Sequence, residues 1–250
     1  MSIRRLLVLG GGSEIAVAFV QRCISDGLDS VVLAGRAGGS VDTAAAAMLA
    51  EHPDVKVEVA GFDGAAVSTH AKAVAAIDEA HGPFDTVLVA FGQLGAPFSL
   101  DIEPGAAAAL AHVNYTGAVS SCLAAIDILR GEPGARVVVL SSIAAVRPRV
   151  GNIVYASAKA GLDAFLTEIS PAAAKVGVDV VIVRPGFVHS RMTKGLEPAP
   201  FATTPEAVAE DMHAGITADR KVIHSPNVLA PVGRVLKSLP GPIWRRISSQ

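Results

Sequence analysis

Leu6-Leu-Val-Leu9 runs directly into Gly10-Gly-Gly-Ser-Glu-Ile-Ala16, and from there apolar residues recur at helical spacing. An apolar run without alternation is a strand buried on both faces. Glycines between such a strand and a helix let the backbone turn tightly and leave N–H groups free at the helix start, where an anion is welcome. The stretch therefore predicts the opening of a crossover unit in a parallel sheet. Gly10, Gly12, Ser13, Glu14 and Ile15 become the first candidates for holding a pyrophosphate. An ordinary tight turn reads the same way, because Ile15 fills the last glycine position of a strict G-x-G-x-x-G pattern.

Working outward, β-branched runs recur at 30–34, 55–59, 86–90, 136–140 and 179–183, with a weaker one at 221–225, and helix-length segments separate them. This alternation predicts a doubly wound α/β fold of the Rossmann type, a single parallel sheet with helices on both faces. Its ligand site is expected at the carboxyl ends of the strands, where strand order reverses. The chain of 250 residues, 51% hydrophobic and 18% charged, excludes a disordered or fibrous protein. A net charge of −2 supplies no field for nucleic acid. Cys23 and Cys122 are too few for a disulfide scaffold and lack metal-site spacing, which fits a reducing, cytoplasmic setting. The first apolar run is too short for a signal-peptide core. Segment 104–126 carries no charged residue, yet His112, Asn114, Tyr115, Thr116, Ser120 and Ser121 mark it as a helix of a soluble protein rather than a membrane span.

Tyr155-Ala-Ser-Ala-Lys159 is the second decisive stretch. A four-residue offset puts both side chains on one helix face, so the ammonium is expected to favour phenolate and lower the phenol pKa towards neutrality. Ser142 stands thirteen residues earlier, directly after the strand at 136–140, at the end of the sheet where the site belongs. Its hydroxyl can bond a carbonyl oxygen while Tyr155 delivers a proton. Capping the next helix is the alternative role for such a serine.

With these residues the chain resembles the short-chain dehydrogenase/reductase family over 6–193. The match runs through the glycine turn, Asp63, Asn114, Ser142, Tyr155, Lys159, Arg184-Pro185-Gly186 and Ser190. The resemblance implies a nicotinamide cofactor, NADH or NADPH, and a homo-oligomer. It implies that Asn114 holds a proton-relay water, that Lys159 also bonds the nicotinamide ribose, that Asp63 lies near the adenine and that Ser190 lies near the carboxamide. Phe91, Gly92, Pro185, Gly186 and Val188 fall in the segments that line the family's cofactor site. Two motifs depart: Glu14 and Ala16 replace glycines of T-G-x-x-x-G-I-G, and Val89-Ala90-Phe91-Gly92 replaces Asn-Asn-Ala-Gly.

Those departures, the loop 147–155 and the ending 239–246 are together similar to the subgroup that reduces decaprenylphosphoryl-2-keto-erythro-pentofuranose in mycobacterial cell-wall arabinan synthesis. That likeness implies a polyprenyl-phosphate sugar substrate, a flavin-dependent oxidase partner and NADH. Arg36, which ends a strand region with no carboxylate from Ser30 through Val41, points instead to the 2′-phosphate of NADPH. Arg147 and Arg149 could pair with a sugar phosphate or simply face solvent. Another carbonyl, such as a 3-ketoacyl thioester, and a non-catalytic dinucleotide-binding subunit are the competing readings.

Residues 1–225 read as the catalytic domain and 226–250 as a basic amphipathic extension. After Asp219 there is no acidic residue, and Val228, Leu229, Val232, Val235, Leu236 and Leu239 recur at helical spacing. This stripe either packs on the protein's own core or, with Trp244, Arg245 and Arg246, touches a membrane peripherally.

Overall fold

The computed structural model describes residues 2–241. Seven parallel strands, β1 (Arg5–Leu9), β2 (Ser30–Gly35), β3 (Lys56–Gly61), β4 (Thr86–Val89), β5 (Arg136–Leu140), β6 (Asp179–Pro185) and β7 (Val222–Ser225), form one sheet in the order β3-β2-β1-β4-β5-β6-β7. The doubly wound Rossmann-type fold expected from the sequence is the fold observed.

Alternate residues of each strand feed opposite cores, which is why the strands read as unbroken apolar runs. Leu6 and Val8 pack with Phe19 and Val20 of α1 (Glu14–Ser25), Met48 of α2 (Ser40–Glu51) and Met212 of α7 (Pro205–Thr217). Leu7 and Leu9 pack on the other side with Val74 of α3 (His70–His81), Cys122 of α5 (Ala118–Ile128) and Leu162 and Leu166 of α6 (Ile153–Ala174). Each such side chain, fully buried, contributes about 1.5–3 kcal/mol of apolar transfer. At the sheet edge β3 alternates instead, and Val59 is exposed.

The chain leaves β1 towards β2 on one side and returns through β4 on the other. The crevice between the carboxyl ends of β1 and β4 is therefore the switch point of the sheet. Ahead of α5, α4 (Pro104–Ala111) begins at Pro104 and is capped by Glu103, whose carboxylate accepts from the Gly105 and Ala106 N–H groups at 2.8 and 2.6 Å. The two helices join through a wider π-helical turn, His112–Gly117. Among the described residues no helix is long and apolar enough to cross a membrane.

The last described helix, α8 (Leu229–Ser238), folds back onto the domain. Leu229 is buried beside Gly186, and Gly233 lies against Ile143 and Val146. Of the apolar stripe, Leu229 thus packs on the protein's own fold, while Val228 and Val235 are exposed. Trp244, Arg245 and Arg246 lie outside the described residues.

Candidate active site

The glycine turn is shaped by what approaches it. Gly10 takes φ +98°, and a Cβ there would stand 2.6 Å from the Phe91 nitrogen at the end of β4. A Cβ on Gly12 would overlap the Ser40 hydroxyl at the start of α2. The Gly10 and Gly11 N–H groups both donate to the Ala34 carbonyl, at 2.8 and 3.0 Å, which fastens the turn to β2. Below it opens a cleft of about 620 Å³, within the range of cofactor sites. Gly10, Gly12, Ser13, Glu14, Ile15, Arg36, Phe91, Gly92 and Ser190 all line it.

Other expected cofactor residues sit elsewhere. Asp63 is exposed between the cleft-lining Phe62 and Gly64, and its carboxylate accepts from the Ala65 N–H at 3.0 Å. Pro185 is buried at the end of β6, and Gly186 donates its N–H to the Ser225 carbonyl at 2.8 Å and makes room for Leu229. Val188 is a core residue. None of these four lines the cleft.

The catalytic candidates form a second cluster, in which Asn114, Ser142 and Lys159 are buried and Tyr155 is partly so. Ser142 follows β5, where its Oγ accepts from the Ala144 N–H at 3.1 Å and its hydroxyl shares a hydrogen bond with the Tyr155 phenol. The same side chain thus caps the turn that follows and reaches the phenol. Tyr155 and Lys159 stand on the first turns of α6. Lys159, 4% exposed, donates from Nζ to the Leu140 carbonyl at 2.8 Å and lies 6.0 Å from the Tyr155 ring centroid.

This arrangement differs from the expected lowering of the phenol pKa. Burial pushes the Tyr155 phenol up, and the opposing hydrogen bond from Ser142 is the smaller effect. Burial also brings the Lys159 ammonium down to about 8. The physical reason is that the lysine is anchored on the β5 carbonyl while both groups are withdrawn from water. The consequence is a phenol that stays protonated at neutral pH.

Asn114, fully buried in the π-helical turn, donates through Nδ2 to the carbonyls of Gln93 and Leu110 at 2.7 and 2.9 Å, and its Oδ1 accepts the Gln93 N–H at 3.1 Å. Such wide turns recur at functional positions. Gly92 joins the two regions: a Cβ there would stand 2.9 Å from Asn114 Oδ1 and 3.6 Å from Lys159 Nζ, so only glycine lets the cleft wall meet the catalytic cluster this closely.

Sequence reasoning missed three partners. Gln93 clasps Asn114. Asp163 accepts from Ser141 Oγ at 2.8 Å and receives Arg184 in a two-pronged pair at 3.0 and 2.6 Å, tying α6 to β5 and β6. The signal for Asp163 was present, because it continues the four-residue spacing of Tyr155 and Lys159. Arg191 is the third; its backbone N–H donates to Glu14 Oε2 at 2.7 Å and its guanidinium to the Gly12 carbonyl at 2.6 Å. Of the two loop arginines, Arg147 donates to the Leu239 carbonyl at 3.1 Å, while Arg149 is exposed.

The short chain dehydrogenase profile matches residues 4–200. The chain belongs to the short-chain dehydrogenase/reductase family. It is an oxidoreductase of that family. An uncharacterized oxidoreductase of Mycobacterium tuberculosis is 35% identical over 242 residues, covering 97% of this chain and 96% of its own. An uncharacterized oxidoreductase of Streptomyces coelicolor is 35% identical over 244 residues, covering 98% and 96%. Among solved structures, a short chain dehydrogenase from Burkholderia cenocepacia in complex with NADP superposes with a TM-score of 0.83, at 16% identity over 99% of both chains. The fold is shared with that protein.

Proposed function

We propose that the protein is an NAD(P)H-dependent carbonyl reductase. The observation that carries this reading is the meeting, through Gly92, of a dinucleotide-sized cleft with the cluster of buried Ser142 and Lys159 and partly buried Tyr155. The cleft residues fit such a cofactor: glycines at the closest approach, an uncapped start to α1, Arg36 at the α2 end and a wall of Phe91 and Gly92. A reduced nicotinamide held there supplies the hydride. Ser142 bonds the substrate carbonyl oxygen, Tyr155 gives that oxygen a proton, and Lys159 keeps positive charge next to the phenol. Asn114 holds the Gly92-Gln93 wall in place. Arg36, with no carboxylate beside it on the cleft wall, favours NADPH over NADH.

For the substrate, the proposed group is the 2-keto group of a decaprenylphosphoryl keto-pentose, reduced to the arabinose lipid for cell-wall arabinan. The loop 147–155 and the tail support it, with exposed Arg149 as the phosphate partner. A flavin-dependent oxidase then supplies the ketone, residues 226–250 act as a basic amphipathic extension of the domain, and the cytoplasmic homo-oligomer touches the membrane peripherally. A second reading, a 3-ketoacyl thioester, is favoured by a human 3-oxoacyl-[acyl-carrier-protein] reductase that is 34% identical over 86 residues.

Titration with NADH and NADPH, followed by oxidation of the bound cofactor on adding each ketone, tests both levels. Binding of a reduced cofactor and its oxidation by the lipid-linked keto-sugar are expected. Oxidation by the thioester alone would replace the substrate, and binding of neither cofactor would overturn the reductase assignment.

A further inference from the structure

We propose that Arg191 reads the cofactor pyrophosphate in this protein and that Glu14 positions it, replacing the glycine-only contact that the turn has lost. The inference rests on the dinucleotide reading above and deepens it. Three charged side chains line the described cleft: Arg36, Glu14 and Arg191. A carboxylate where a glycine would suit an anion is a liability, since it stands at the helix start that should receive the negative charge. The structure answers that charge from 177 residues away. Arg191, on the loop after β6, donates its backbone N–H to Glu14 Oε2 at 2.7 Å, brings Nε to 3.3 Å of the same oxygen and gives Nη2 to the Gly12 carbonyl at 2.6 Å.

These contacts do two things. They neutralise Glu14, so that the wall around the turn is not repulsive to phosphate. They also hold the guanidinium at the turn itself, with its Nη1 group lacking a protein partner among the described residues. A planar guanidinium already fixed in place is the group best suited to paired phosphate oxygens, because little side-chain freedom remains to be lost on binding. Glu14 thus acts through Arg191 and is a positioning residue, while Arg191 itself touches the cofactor.

The distinguishing test is a set of cofactor affinities in Arg191→Ala, Glu14→Gln and the double variant, read by fluorescence of bound NADPH and by competition with ADP-ribose, which carries the pyrophosphate without nicotinamide. Glu14→Gln retains an oxygen for the Arg191 N–H and removes only the charge, so both affinities should stay within about threefold of the parent. Arg191→Ala loses the contact and leaves Glu14 bare, so both should fall by roughly ten- to a hundredfold. The double variant should regain part of that loss, because the repulsive charge is gone. A parent protein that binds neither NADH nor NADPH would sink the dinucleotide reading itself. If the parent binds and Arg191→Ala stays within twofold, the dinucleotide reading survives and the Arg191 assignment is wrong. A double variant no better than Arg191→Ala would show that a bare Glu14 does not repel the cofactor, which would overturn the neutralising role given to the pair.

Discussion

The two halves of the site are built in opposite ways. Ser142 and Lys159 are buried and Tyr155 is partly so, each has a partner within the protein, and the loss of water decides the protonation of Tyr155 and Lys159. Around the glycine turn, Arg36 and Arg191 are exposed, the backbone does the shaping, and a charge pair lines the wall. On the proposed function, the proton donor is held in one ionisation state by its partly dry surroundings, whereas a dinucleotide must enter and leave and would meet side chains that solvent also reaches. Chemistry and affinity should therefore be separable by mutation.

The largest effect expected is in the buried half. Tyr155→Phe keeps the ring and removes the proton donor, so kcat should fall by about 10²–10⁴-fold while the melting temperature stays close to the parent's. Near-normal turnover would remove Tyr155 from the mechanism. Asp163→Ala should rank next. It leaves Arg184 partly buried without its partner and frees Ser141, so stability should drop by roughly 2–4 kcal/mol in chemical denaturation. A change under 0.5 kcal/mol would mean that α6 is held by packing alone.

In the open half, Arg36→Ala should weaken NADPH relative to NADH by roughly ten- to a hundredfold. An unchanged ratio would return Arg36 to the solvent. A pH profile sharpens the contrast further. Lys159 has its pKa lowered to about 8, so it carries charge below that pH and loses it above. Tyr155 is raised and remains protonated through the same range. Reductive kcat/KM should be level below pH 8 and decline above it by up to about tenfold per unit, whereas a decline on the acid side near neutrality would contradict the assignment. The smallest effect is none: Cys23 and Cys122 are buried with thiol pKa values of about 12, so alkylating reagents should leave activity intact.

The same contrast explains what could be read from the sequence. The fold was legible because every strand but the edge strand β3 is largely an apolar run with both faces covered, and the strand bounds agree to within two residues. Tyr155 and Lys159 were legible because a helix turns a spacing of four into one face, and Ser142 because it ends a strand. Their ionisation was not, since the spacing says nothing of Leu140, whose carbonyl anchors the lysine, or of how deeply the helix is buried. Arg191 escaped notice because its partner is far away in the chain and no periodicity links them. Val188 shows the converse: its place in a familiar segment suggested the cofactor, but its side chain belongs to the core.

The central claim, that affinity and chemistry reside in different halves, is tested most directly by one paired measurement. NADPH affinity and the single-turnover rate of the saturated complex would be determined for Tyr155→Phe and Arg36→Ala with whichever ketone the parent reduces. Tyr155→Phe should bind NADPH within about threefold of the parent and turn over at least a hundredfold more slowly, while Arg36→Ala should bind at least tenfold more weakly and, once saturated, react at the parental rate. A Tyr155→Phe protein that loses affinity as much as rate, or an Arg36→Ala protein that stays slow at saturation, would contradict the account.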